Sequence, residues 1–174
     1  MPIVPILFGV GVALSLTLLV SRPARALTFN EAAATRWSRF FGVPVRIVLG
    51  VIRHESSGIR TASRLVGSDA ARGGAWGLMQ VTLETAKGLV VDLKKLGNPA
   101  INTVLARWDG TGPSLFDRDL NVMLGTFNLA RDKAALASWP AAVLAFNRGR
   151  GGVKTFLAAG GNPANTDYVR SVLA

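Results

Sequence analysis

The sequence predicts an all-α domain that follows an uncharged hydrophobic segment. Apolar residues recur at helical spacings of three and four through most of the chain, and long stretches of alternating apolar and polar residues are absent. Glycine, serine, aspartate and asparagine cluster between the periodic stretches, as is typical of loops. With 174 residues, of which 49% are hydrophobic, the chain is long enough to form one domain with a sizeable core.

The chain divides into two predicted units, a hydrophobic segment over residues 1–26 and a folded domain over residues 27–174. Residues 3–20 form an uncharged, mainly apolar run that reaches the lower length limit for a membrane-spanning helix, so we predict an N-terminal hydrophobic helix. Two interpretations stay open. Residues 24–26 fit the cleavage site of a secretory signal. An uncleaved segment would instead contact a membrane or a hydrophobic assembly partner, and the two arginines that follow the run oppose export across a membrane.

The first helix of the domain is predicted over residues 44–55, because proline suits a first helical turn. Apolar spacing then defines one helix face, which ends on a carboxylate. This face comprises Val45, Val48, Ile52 and Glu55.

Two longer helices come next in the chain. One is predicted to begin near Ala75 and to continue through residues 85–87. The other covers residues 119–136, with Asp117 or Asp119 as its candidate N-cap.

A further helix is predicted to start at Ser138 as its cap, with Pro140 in the first turn, and to end at Gly149. A short helix over residues 165–173 completes the domain. The stretches predicted as loops are residues 61–74 and 97–113.

Composition excludes several kinds of site. The chain has no cysteine, so disulfides, zinc–thiolate sites and iron–sulfur clusters are excluded, and its one histidine excludes a histidine-rich metal site. We expect no metal and no other cofactor. The net charge of +10 favours an anionic partner. The basic residues are spread along the chain and match no nucleic-acid-binding motif, so no specific nucleic acid is expected.

Glu55 is the residue that periodicity alone marks for chemistry. It continues an apolar helix face, and Gly58 is expected to stop the helix just after it. Burial and the negative end of the helix dipole both disfavour an ionised carboxylate there, which suits a general acid. The alternative is that Glu55 pairs with an arginine such as Arg53 or Arg60. The adjacent His54 points in another direction and is interpreted as a surface or packing residue.

Five blocks of sequence now join Glu55 in a fixed order. They are residues 51–57 (VIRHESS), 74–80 (GAWGLMQ), 81–87 (VTLETAK), 115–125 (LFDRDLNVMLG) and 145–149 (AFNRG). In this order and spacing they resemble the soluble lytic transglycosylase domain of the family-1 lytic transglycosylases, over about residues 36–169. The resemblance implies a helical fold like that of goose-type lysozyme.

The resemblance also implies a reaction. Enzymes of this family cleave the β-1,4 bond between N-acetylmuramic acid (MurNAc) and N-acetylglucosamine (GlcNAc) in the glycan strands of peptidoglycan. The 6-hydroxyl of the muramoyl residue attacks in place of water and gives a 1,6-anhydromuramoyl product. Glu55 would be the single catalytic acid and base, and the N-acetyl group of the sugar would replace the second carboxylate of other glycosidases.

Seven further positions match the substrate-binding residues of the family, namely Ser56, Gly77, Met79, Gln80, Phe146, Asn147 and Tyr168. Met79 would offer an apolar surface to a sugar, and Gly77 would allow close approach of the backbone. Without the resemblance, Met79 would be a core residue and Ser56 a cap of the helix end. Phe146 replaces the tyrosine that is usual in this block of the family, so the tyrosine hydroxyl is missing here. Tyr168 is expected to border the cleft, or else to be a core aromatic.

We therefore expect an enzyme that opens the cell wall locally, for the DNA entry of a phage particle or for a secretion or conjugation machine. It would act in the bacterial periplasm, associated with the inner membrane, or would be carried in a phage virion. A peptidoglycan-hydrolysing lysozyme of the same fold is one alternative. A non-catalytic glycan-binding protein of a virion or membrane is the other.

Overall fold

A computed structural model of the chain describes residues 28–174. The hydrophobic segment, including the helix predicted over residues 3–20, lies outside the described residues. Within them, helices dominate, as the sequence predicts, and none is long and apolar enough to span a membrane. The helices are α1 (Phe29–Phe41), α2 (Val45–Ser56), α3 (Gly67–Ala71), α4 (Leu83–Lys95), α5 (Pro99–Leu105), α6 (Arg118–Leu136), α7 (Trp139–Ala158) and α8 (Asp167–Leu173).

Three strands of two residues each form a small antiparallel sheet between α2 and α4. They are β1 (Ser63–Arg64), β2 (Ala75–Trp76) and β3 (Val81–Thr82), in that order across the sheet. Arg64 pairs with Ala75, which pairs in turn with Thr82.

The prediction of a helix that begins near Ala75 is wrong over its first eight residues. Residues 75–82 form the β2–β3 hairpin, whose turn places Gly77 and Gln80 at positive φ angles of 76° and 46°. Two left-handed residues so close together cannot lie inside a right-handed helix. The helix begins only at Leu83, where the Thr82 hydroxyl accepts a hydrogen bond from a backbone N–H of the first turn.

Three helices lie where the sequence predicts none. Helix α1 starts at a capping box in which Thr28 and Glu31 satisfy each other's backbone N–H groups. Helices α3 and α5 lie in the stretches predicted as loops. The Asn98 side chain caps α5 and is followed by a proline, a start signal that the polar composition of the stretch obscures.

Helix α6 is the centre of the core. It packs against α1, α4, α5 and α7 and against β3. Its residues 120–126 are all buried, so neighbours cover the helix around its whole circumference. It agrees closely with the prediction over residues 119–136 and uses Asp117 as its cap.

Helix α7 starts after its predicted cap, Ser138, but continues beyond its predicted end. Gly149 leaves helical geometry, with φ 72° and ψ 157°, and the chain then returns to a helix that reaches Ala158. The glycine is therefore a kink inside the element, and it lies beside the residues of the last sequence block.

Close packing of α8 on α2 positions the end of the chain. Gly50 in α2 faces α8 so closely that a Cβ atom there would lie 2.0 Å from the Val172 carbonyl oxygen. The same contact brings Tyr168, at the start of α8, to the C-terminal end of α2.

We expect Gly50→Ala to destabilise the fold by about 1–3 kcal/mol, because the methyl group has to push a backbone carbonyl away. Denaturant unfolding measures this cost. Gly88→Ala is the matched control, since Gly88 lies in α4 with open space around its Cα. There the alanine is expected to be neutral or to stabilise by up to about 1 kcal/mol. Equal stability of the two variants would contradict the close α2–α8 contact.

Candidate active site

Glu55 lies in the last turn of α2, with only 8% of its side chain exposed. Its Oε1 accepts a hydrogen bond of 2.7 Å from the Tyr168 hydroxyl. Its Oε2 lies 3.7 Å from Nη2 of Arg64. The carboxylate is thus largely buried, as its helix face predicts, and it also has an arginine nearby, although neither Arg53 nor Arg60 is that arginine.

Tyr168 is half-buried and holds Glu55 from α8. Burial first, and then the neighbouring charge of Glu55, raise the pKa of Tyr168, so the phenol stays protonated and donates. On its other side, the exposed His54 ring packs edge-on at 4.7 Å and its Nδ1 lies 2.9 Å from the Ser171 hydroxyl. These contacts agree with the interpretation of His54 as a surface or packing residue.

Ser56 fastens the end of α2 to the hairpin. Its buried hydroxyl lies 2.8 Å from the Leu78 carbonyl and 3.0 Å from the Ile52 carbonyl, and it accepts a hydrogen bond from the Gly58 N–H. These bonds match the interpretation of Ser56 as a cap of the helix end. Through them it fixes the position of the adjacent Glu55.

Met79 differs from the expectation of a sugar-facing surface. It is fully buried and packs against Gly125 of α6, where an added Cβ would lie 2.5 Å from its sulfur. Gly77 also packs against the protein interior and not against a sugar, because a Cβ there would lie 2.3 Å from the Leu115 carbonyl oxygen. The hairpin turn is instead held by Asn121, which accepts from the Met79 N–H at 2.7 Å and donates to the Trp76 carbonyl at 2.8 Å.

Gln80 completes the turn from its left-handed conformation. Its side-chain amide donates to the carbonyls of Ala62 and Gly77, both at 2.9 Å. These bonds stabilise a backbone conformation that a non-glycine residue seldom adopts. The amide oxygen accepts no hydrogen bond from any described residue.

Four of the predicted site residues border one small cavity of about 50 Å³. Glu55 and Gln80 meet Phe146 and Asn147 there, although these come from three distant parts of the chain. Tyr168 reaches the same place through its bond to Glu55. The other lining residues are not among the predicted site residues; they are Arg64, Asp69, Arg72, Ala75 and Thr82.

Arg64 stands between the two carboxylates of this cavity. It lies 3.2 Å from Asp69, with 49% of its own side chain exposed, and its longer 3.7 Å contact is to Glu55. Arg64, Asp69 and Arg72 all belong to the stretch of residues 61–74. The signal that could have found them is three charged residues in a glycine-rich stretch that joins two sequence blocks.

We call the small cavity at Glu55 the catalytic cavity, and we call this cavity together with the spaces that adjoin it towards the kink of α7 the groove. Arg72 and Phe146 line the small cavity, an adjoining space and a larger pocket of about 280 Å³. The wall of the larger pocket contains Asp132, with a side chain only 3% exposed, in a salt bridge with Arg150. Burial raises the pKa of Asp132, against the lowering effect of Arg150.

No group of three or more histidine, aspartate or glutamate side chains that could hold a metal ion occurs within residues 28–174. The small cavity offers carboxylate, phenol, amide and guanidinium groups.

A helical fold with a largely buried glutamate at the mouth of a groove suits an enzyme that protonates a glycosidic bond. The family of the transglycosylase SLT domain matches residues 32–169, and the chain belongs to this family. Its members are peptidoglycan lytic transglycosylases, so the protein is a lyase that acts on peptidoglycan glycan strands, which lie in the cell envelope. Comparison with curated proteins found no match.

We expect Tyr168→Phe to lower kcat about tenfold or more, because it removes the hydrogen bond that holds the largely buried Glu55 carboxyl group in place. Steady-state release of soluble muropeptides measures this loss. The phenyl ring keeps its packing on His54, so an unchanged kcat in a stably folded variant would contradict the positioning role.

Proposed function

We propose that Glu55 is the single acid and base that cleaves the MurNAc–β-1,4–GlcNAc bond with formation of a 1,6-anhydromuramoyl end. The observation that carries this proposal is the bond from Tyr168 to a largely buried carboxylate at the edge of the catalytic cavity. It agrees with the family of the chain, whose activity is lytic cleavage of peptidoglycan.

The two oxygens of Glu55 have different surroundings. Tyr168 occupies Oε1, so Oε2 is the atom that faces substrate, with Arg64 at 3.7 Å. In the first step the protonated Glu55 gives its proton to the glycosidic oxygen as the C1–O bond breaks, and the N-acetyl group of the muramoyl residue stabilises C1. In the second step the Glu55 carboxylate takes the proton of the 6-hydroxyl as the O6–C1 bond forms. The carboxyl group thereby returns to its starting state.

Asn147 and Gln80 are placed to orient the sugar. The exposed Asn147 amide makes no hydrogen bond within the described part of the chain, and the Gln80 amide oxygen is also free there. An N-acetyl group has one N–H donor and one carbonyl acceptor, which these two amides can satisfy. Phe146 supplies an apolar wall beside them, and Tyr168 supplies the phenol that Phe146 lacks.

Glu55→Gln is expected to abolish release of anhydromuropeptides while the protein stays folded, because an amide cannot donate and regain the proton. Mass spectrometry of digested sacculi measures the product, which is one water lighter than a hydrolytic fragment. Asp167→Asn is the control, since Asp167 is a fully exposed carboxylate next to Tyr168 in sequence. Retention of most activity in a folded Glu55→Gln protein would refute the mechanism.

Hydrolysis by the same fold is a second candidate function, and the observation that favours it is Asp69. This carboxylate borders the catalytic cavity together with Glu55 and could orient a water molecule towards C1. Its salt bridge with Arg64 at 3.2 Å opposes this role, since the arginine occupies the carboxylate.

We expect Asp69→Asn to leave the anhydro products as the main products and to change their share little. Reduction of the digest with borohydride labels only hydrolytic reducing ends, so it separates the two outcomes. If the unmodified enzyme makes many reducing ends and the Asp69→Asn variant makes few of them while it still forms anhydro products, the protein is a hydrolase in which Asp69 positions water.

We also propose that residues 1–26 bring the catalytic domain, residues 27–174, to the cell wall. As a signal or anchor they would place it in the periplasm at the inner membrane, for a secretion or conjugation machine. In a phage particle they would pack in the virion until DNA entry. N-terminal sequencing of the native protein distinguishes a processed chain that starts at Leu27 from one that starts at Met1.

A further inference from the structure

A second pocket adjoins the catalytic cavity, and we call it the distal pocket. It has a volume of about 280 Å³ and lies among α4, α6 and the kink of α7. Arg72 and Phe146 line both spaces, so the two lie side by side. The charged residues of the distal pocket are Arg72, Glu84, Arg131, Asp132 and Arg150.

Three of these five charges are already neutralised by the protein. Arg131 lies 3.0 Å from Asp92, and Arg150 pairs with the buried Asp132. Arg72 and Glu84 form no ion pair, with each other or with any residue in the range 28–174. With respect to the described residues, the pocket therefore presents one unpaired cation and one unpaired anion.

The backbone holds the two residues that carry these charges next to each other. The Glu84 N–H donates a 3.1 Å hydrogen bond to the Arg72 carbonyl, so α4 begins beside the loop that carries the arginine. Both side chains are exposed to solvent. Two opposite charges on neighbouring segments that do not bind each other are complementary to a ligand that carries both charges.

The glycan strand does not provide such a ligand, because its sugars carry hydroxyl and N-acetyl groups. The peptide stem on the muramoyl residue does, since it carries free carboxylates and free amino groups. A muramoyl residue bound at Glu55 must also direct its stem away from the cavity, and the adjoining pocket offers a path beside Phe146.

We propose that the distal pocket binds the peptide stem of the substrate, with Arg72 recognising a stem carboxylate and Glu84 a stem ammonium group. This inference rests on the proposed function, because it takes the muramoyl residue to be bound at Glu55. It makes Arg72 and Glu84 specificity residues that act on substrate binding and not on the proton transfers.

Chemically modified stems test the inference one charge at a time. Glycan strands are prepared with native stems, with stem carboxylates amidated and with stem amines acetylated, and kcat and KM are measured for each. For the unmodified enzyme, amidation or acetylation is expected to raise KM about tenfold and to leave kcat nearly unchanged, as for the loss of one charge-assisted hydrogen bond.

The variants should each lose one of these sensitivities. Arg72→Ala should raise KM on native stems and then show no further rise on amidated stems, while it still responds to acetylation. Glu84→Gln should show the opposite pattern. Lys87→Ala is the control, because Lys87 is an exposed charge of α4 that lines neither cavity, and it should keep both sensitivities.

Two results would overturn the inference while the proposed function stands. One is that the unmodified enzyme forms anhydro products equally well from all three substrates. The other is that Arg72→Ala stays as sensitive to amidation as the unmodified enzyme. The absence of anhydro products from every strand would be a different result, which overturns the proposed function and the inference together.

Discussion

The hydrogen bond between Tyr168 and Glu55 is the interaction on which the site depends. A carboxylate at the C-terminal end of a helix faces the negative end of the helix dipole, and burial makes its charge more costly still. The Tyr168 phenol, kept protonated by its own burial, offsets part of that cost by donating to Oε1. It can do so only because Gly50 lets α8 lie directly on α2. The packing of two helices thus positions one functional group.

The hairpin turn provides the second constraint, and it acts from inside the protein. Asn121 of the central helix α6 binds both the Met79 N–H and the Trp76 carbonyl, while Ser56 ties the same turn to the end of α2. The buried Met79 then acts as a packing residue that holds the turn on α6. Ser56, Gly77 and Met79, which the resemblance assigns to substrate binding, therefore serve mainly to hold Glu55 and Gln80 in position relative to each other.

The sequence predicted the parts of the structure that periodicity encodes. Helices α2 and α6 and the burial of Glu55 follow from apolar spacing, and they agree with the structure to within a few residues. Periodicity could not find the hairpin at residues 75–82, because its strands have two residues each and depend on pairing with β1. Nor could it place Arg64 beside Glu55, since that contact depends on the course of the chain between α2 and β2.

The acidic side chains differ in whether the protein gives them a partner. The sequence has ten carboxylates and a net charge of +10, and most of the carboxylates bind a backbone N–H group or a basic side chain. Glu31, Asp109 and Asp117 accept hydrogen bonds from backbone N–H groups at helix starts and turns. Asp69, Asp92, Asp119, Asp132 and Asp167 form salt bridges at 3.3 Å or closer. The two that remain are Glu55, with its longer contact to Arg64, and Glu84, with no ion pair within the described residues. Both border the same groove, where a carboxylate without a close cation is available to a substrate.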